Sequence, residues 1–156
     1  MLVSACLLGV DCKYNGKNNL DNHIVNMAKK GLVIPVCPEQ LGGLTTPRPK
    51  AEILKGNGGC VIDGKAKVIR KNGEDVTKHF ISGANQVLKI AQIMSIKKAV
   101  LKSKSPSCGV CEIYDGSFCG KLINGNGVTA ELLKRNGISV FDENSFKKAI
   151  EVNQEG

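Results

Sequence analysis

The sequence predicts an α/β protein: a single open, mostly parallel sheet flanked by helices, Rossmann-like, with a β-hairpin insertion. Three observations predict it. Short apolar, partly β-branched runs recur at 2–6, 32–37, 99–102 and 138–141. Stretches with apolar residues three or four apart separate them. The segment 60–70 carries an Asp63-Gly64 pair, a hairpin-turn signal. Strands alternating with helices are the pattern of crossover-connected parallel strands.

The elements follow in chain order. The first strand spans 2–6, and a helix over 20–30 places Ile24, Met27 and Ala28 on one face, with Gly31 as its C′ residue. The second strand, 32–37, ends at Cys37-Pro38, where proline stops strand pairing and redirects the chain. A long helix over 77–96 carries Phe80, Ala84, Val87, Ala91 and Met94 at helical spacing, with Asp75 or Thr77 at its N-terminus. The third strand is 99–102. A helix over 129–136 ends at Gly137, the fourth strand is 138–141, and a short helix at 145–152 follows. The expected organisation is one domain over residues 1–156.

Composition narrows the function classes. At 156 residues the chain can bury a core without staples. Aromatics are 4% with no Trp, which argues against a reader of single-stranded RNA built on stacking platforms. The net charge of +8 comes from scattered lysines, a solvated surface with some attraction for polyanions such as tRNA. No basic leader precedes the first apolar stretch, and no run reaches the ~18–20 residues of a membrane span, so a cytoplasmic protein is expected. Seven cysteines in a reducing compartment point to metal binding or thiol chemistry rather than a disulfide framework.

Cys6 and Cys37 end the first two strands, and Cys108 follows the third in Ser105-Pro106-Ser107-Cys108-Gly109. In an open parallel sheet the carboxyl ends of the strands share one edge, where ligand sites form. Cysteines distant in sequence are thereby gathered. Thiolates suit zinc or an iron–sulfur cluster, and Gly9, Gly42, Gly43 and Gly109 are expected to let backbone approach a bulky inorganic group and offer it N–H donors. Free cysteine is equally at home as a small core hydrophobe. Cys12 stands near Cys6 and could replace it. Cys60 reads as structural, and Cys108-Gly109-Val110-Cys111 as a redox pair or half a zinc site. His23 and His79 fall on helices away from these turns.

The segments SACLLGVDCKYNG (4–16), VCPEQLGGLTTPRPKAEI (36–53), KSKSPSCG (102–109) and IYDGSFCGKLINGNGVTAELL (113–133) resemble the thiouracil desulfidase family, in order and over nearly the whole chain. The resemblance implies a [4Fe–4S] cluster held by Cys6, Cys37 and Cys108, with one iron lacking a protein ligand and free to take the substrate's sulfur. It implies a catalytic pair, Glu39 of the Cys-Pro-Glu motif and Ser105 ahead of the third cysteine. The implied substrate is a small thiolated pyrimidine, thiouracil or a thiouridine, converted to a uracil-type product and sulfide without net redox change; thiolated tRNA stays open. Arg48 and Tyr14 are placed at the pocket by their motif turns. Cys111 and Cys119 depart from the family pattern, and Cys111 on the fourth iron would close the site. Two other readings are a metal-stabilised RNA-binding module and a dithiol oxidoreductase or sulfur carrier using Cys108 and Cys111.

Overall fold

A computed structural model describes residues 1–155. In chain order the elements are β1 (Leu2–Ser4), a 3-10 turn (Ala5–Leu8), α1 (Asn22–Ala28), β2 (Ile34–Val36), α2 (Pro38–Leu41), β3 (Ala51–Leu54), α3 (Gly58–Ile62), β4 (Lys67–Arg70), α4 (Thr77–Ile93), β5 (Lys98–Leu101), β6 (Glu112–Tyr114), β7 (Leu122–Asn124), α5 (Val128–Arg135), β8 (Ser139–Asp142) and α6 (Glu143–Glu155). Among these residues no helix is long and apolar enough to cross a membrane.

The four expected strands form one parallel sheet in the order β2-β1-β5-β8. Strand alternation sends neighbouring residues to opposite faces. Leu2, Ala99 and Leu101 pack with Val87 and Ala91 of α4 and Ala130 and Leu133 of α5. Val3 and Val100 pack the other way, against Ile24 of α1 and Phe146 of α6. Both faces are covered, which is why these strands read as continuous apolar runs. Each fully buried Leu or Val contributes ~1.5–3 kcal/mol relative to exposure.

A second core lies beyond the sheet. Ile53, Val61, Val68, Val76, Phe80, Ala84 and Ile113 join the antiparallel pair β3–β4, α3, the first half of α4 and β6. Here the structure corrects the expected insertion. The antiparallel pair exists, but its strands are β3 and β4, and the helix α3 connects them. Asp63 ends α3 as its C-cap and Gly64 follows at φ +76, so Asp63-Gly64 is a helix exit rather than a hairpin turn. Asn57 starts that helix by accepting from Cys60 N at 3.1 Å. A second antiparallel pair, β6–β7, lies outside the elements expected from the sequence.

Helix ends differ by a few residues. α1 stops at Ala28, and Gly31 is not left-handed, so it is not the expected C′ glycine. α4 begins after Val76, and Asp75 Oδ1 accepts from Thr77 N at 2.9 Å, the capping role expected there. Asp21 caps α1 through His23 N and Ile24 N.

Candidate functional site

The parallel register puts the ends of β1, β2 and β5 side by side: Ser4 is opposite Val36, and Val3 opposite Val100. The chain then turns at each end. Ala5–Leu8 coils into a 3-10 turn that Gly9 closes at φ +89, and Cys6 lies inside it. Cys37 is the N-cap of α2, whose first residue is Pro38. Cys108 follows a loop in which Ser105 Oγ accepts from Cys108 N at 2.8 Å and Ser107 N at 3.2 Å. Cys6, Cys37 and Cys108 line one cavity of about 400 Å³, together with Cys12, Glu39, Arg48, Ser105 and Tyr14.

The four thiols differ in character. A hydrogen bond from Cys12 lowers Cys6 to about 7, with help from Asn19, against the cost of burial. The same Cys12 thiol, aided by the Gln40 backbone N–H, lowers Cys37 to about 6. Cys12 itself is only 2% exposed and is raised by hydrogen bonding with the neighbouring Cys37 and Cys6 sulfurs and by burial. Burial pushes Cys108 up to about 12; the Ser4 hydroxyl works in the opposite direction, while negative charge on Cys6, Cys37 and Glu39 adds to the rise. Three soft donors at separate strand ends, two of them already inclined to the thiolate, are a donor set for a thiophilic metal group. No group of three His, Cys, Asp or Glu among the described residues could hold a single metal ion.

Beside the thiols stands an ion pair. Arg48, with its side chain 2% exposed, donates from Nη2 to Glu39 Oε2 at 3.0 Å and to the Cys12 carbonyl at 2.8 Å. Its Nη1 donates to Thr46 Oγ1 at 2.9 Å and the Thr45 carbonyl at 3.2 Å. The fork geometry of guanidinium suits this, joining the 4–16 and 36–53 motifs through one side chain. Glu39 is thereby held by one oxygen, leaving Oε1 for the cavity. Ser105 uses its oxygen as an acceptor twice, so its hydroxyl hydrogen is free to be donated.

The remaining expectations sort clearly. The glycines do not serve an inorganic group: the N–H groups of Gly9, Gly42, Gly43 and Gly109 donate to Cys6, Pro38, Gln40 and Ser105 carbonyls. Gly42 instead allows α2 to meet α4, since a Cβ there would stand 2.1 Å from the His79 carbonyl oxygen. His79 accordingly sits on that contact, with Nδ1 2.8 Å from Gly42 O. His23 is exposed on α1, and Cys60 is half-buried in the second core. Cys111 is exposed and lines a different groove beside β8, while Cys108 is buried in the cavity, so the two face different surroundings. Lys50, Lys102, Lys104, Asn19 and Tyr114 also line the cavity and were not singled out from sequence. One signal pointed to Tyr114: the chain has two tyrosines, and both are here.

Comparison with known proteins agrees with this fold. The model of a family described as 2-thiouracil desulfurase matches residues 1–145. The chain is 44% identical over 146 residues to the uncharacterized protein YbbK of Bacillus subtilis strain 168, covering 94% of this chain and 97% of that protein. A solved structure of a [4Fe–4S]-dependent thiouracil desulfidase, TudS, superposes with a TM-score of 0.83 at 37% identity, covering 99% of this chain and 97% of the other.

Proposed function

The chain belongs to the 2-thiouracil desulfurase family, and from that premise we propose that it is a [4Fe–4S]-dependent desulfidase converting a thiolated uracil, as free base or nucleoside, to the oxygen analogue and sulfide. The observation that carries this reading is the convergence of Cys6, Cys37 and Cys108 on one cavity that also holds Glu39 and Ser105. Cys6, Cys37 and Cys108 would hold the cluster, whose iron without a protein ligand supplies a soft Lewis acid for thiocarbonyl sulfur.

The chain's own residues do the rest. Glu39, fixed through Oε2 by Arg48, offers Oε1 to take a proton from the water that attacks the ring carbon, and later to return it to sulfur or ring nitrogen. Arg48 is a positioning residue, since its Nη donors are committed to Glu39, Cys12, Thr45 and Thr46 and its remaining donor, Nε, is buried. Ser105 donates its free hydroxyl hydrogen to the attacking water or to a ring oxygen. The balance is hydrolytic: the water oxygen replaces sulfur on carbon, sulfur leaves with its bonding electrons as sulfide, and no oxidant or reductant is consumed.

The test is anaerobic purification followed by iron and sulfide assay and turnover of thiouracil. Iron and acid-labile sulfide in near-equal amounts, with uracil released, are expected. Zinc alone, or metal-free protein that turns over through its thiols, overturns the reading.

A further inference from the structure

Five cationic side chains reach the cavity: Lys13, Arg48, Lys50, Lys102 and Lys104. Two are committed to partners. Arg48 holds Glu39 and three protein oxygens, and Lys102 donates to Glu143 and Ser103. Lys13, Lys50 and Lys104 have no ion-pair partner among the described residues. Of these, Lys50 has the most definite station. Its Nζ lies 4.5 Å from the Tyr114 ring centroid, well inside cation–π range, whereas Lys13 is 5.6 Å from the Tyr14 ring.

The station is built from both sides. The Lys50 carbonyl accepts from Lys71 N at 2.8 Å, just before β3 begins. Tyr114 ends β6, and the turn after it is latched to β3 by Glu52. That carboxylate is 1% exposed, and its Oε1 accepts from Gly116 N at 3.0 Å and Phe118 N at 3.2 Å. Gly116, at φ +91, packs so closely that a Cβ would stand 2.6 Å from the Ile53 carbonyl oxygen. Ring and ammonium are therefore placed by the fold, on the cavity wall.

We propose that Lys50, stationed on Tyr114, is a specificity-determining residue that donates a hydrogen bond to the exocyclic oxygen a thiolated pyrimidine retains; this rests on the desulfidase reading above. The chemistry of the substrate's two ends carries the assignment. The sulfur is soft and belongs with the thiol side of the site. The oxygen across the ring is a hard acceptor and needs an N–H donor. Arg48 spends its Nη donors on the protein and its Nε is buried, and Lys102 is held by Glu143 and Ser103. An ammonium carries three donors, and a ring face occupies its charge without consuming all of them. Loss of a hydrogen bond to a charged donor costs about 10–100-fold in binding or kcat/KM.

The experiment compares 2-thiouracil with 2-thiopyrimidine, which keeps the thiocarbonyl and lacks the exocyclic oxygen. Holoenzyme is assayed for kcat/KM on both, and for uracil binding by calorimetry, in wild type, Lys50→Met and Lys50→Arg, with iron content checked. Lys50→Met should lose about 10–100-fold on 2-thiouracil and weaken uracil by a similar factor, leave 2-thiopyrimidine within about twofold, and keep its iron. Lys50→Arg should recover most of the loss. Equal losses on both thiocarbonyls, or none on either, overturn the assignment while leaving the desulfidase reading intact. Wild-type holoenzyme that neither desulfurates 2-thiouracil nor binds uracil removes both.

Discussion

The cavity has a floor and a wall, and they are made by different parts of the molecule. The floor comes from the parallel sheet: Cys6 and Cys37 follow β1 and β2 directly, and Cys108 follows β5 by a short loop. Their proximity is a consequence of strand order, supported by apolar packing on both faces. The wall comes from α2, the 44–50 loop, β3 and β6, outside the parallel sheet; β3 and β6 belong to separate two-stranded ladders. There the elements are tied to one another by single side chains, Arg48 across the 4–16 and 36–53 motifs and Glu52 across β3 and the turn after β6. The contrast teaches that defects of floor and wall should be separable. A floor defect removes the metal group. A wall defect leaves it in place and changes rate or selectivity.

The largest effect tests the floor. Replacing Cys6, Cys37 or Cys108 by Ser should abolish cluster reconstitution, read as iron and sulfide content, and with it all turnover. Cys60→Ser, in the second core, should change neither. A Cys37→Ser protein with full iron content would break the contrast at its base. Next comes the wall's acid–base group. Glu39→Gln should retain wild-type iron and lose ~10²–10⁴-fold in kcat, the usual contribution of a positioned base. Activity within a few-fold of wild type would show that Glu39 only partners Arg48.

The same contrast explains what could be read from the sequence. All four sheet strands were legible because strands covered on both faces are apolar throughout. Once they are parallel, the meeting of Cys6, Cys37 and Cys108 follows from topology. The wall was poorly legible. β3 reads Ala-Glu-Ile-Leu, and its buried Glu52 looks like a solvent-facing residue until its backbone partners at 116 and 118 are known. Residues 60–62 read as part of a hairpin, yet Gly58–Ile62 is helical, with Asn57 as its N-cap. The glycines near the cysteines suggested access for an inorganic group, whereas Gly42 serves the α2–α4 contact. Roles set by one distant hydrogen bond leave no periodic trace. Glu39 and Ser105 entered only through resemblance to a known family.

A smaller effect sharpens the wall. Glu52→Ala strands two backbone N–H groups and should cost about 1–3 kcal/mol in denaturant stability. Glu52→Gln keeps an acceptor for them and should recover most of it. Both variants should keep their iron, because the latch lies outside the floor. Loss of cluster in Glu52→Ala without global unfolding would mean that the wall also supports the metal group.

The smallest effect is expected at Cys111, three residues beyond a floor cysteine. Spacing alone permits Cys108 and Cys111 to share a metal. The backbone does not favour it: Cys111 sits at φ +67, its N–H donates to Asn126 Oδ1 at 2.9 Å, and its carbonyl accepts from Gly125 N at 2.8 Å. This left-handed turn, rather than the simple alternation of an extended strand, directs the thiol to the outer groove beside β8. Cys111→Ala should therefore retain iron content, cluster spectrum and turnover. Its stability should change little, since alanine meets the same left-handed strain. Cys111→Gly removes that strain, at the cost of a more flexible unfolded chain, so the net change should stay within about 1 kcal/mol. Loss of iron in Cys111→Ala would place a fourth thiolate on the cluster, and a gain in turnover would show that this thiolate had been closing the open iron.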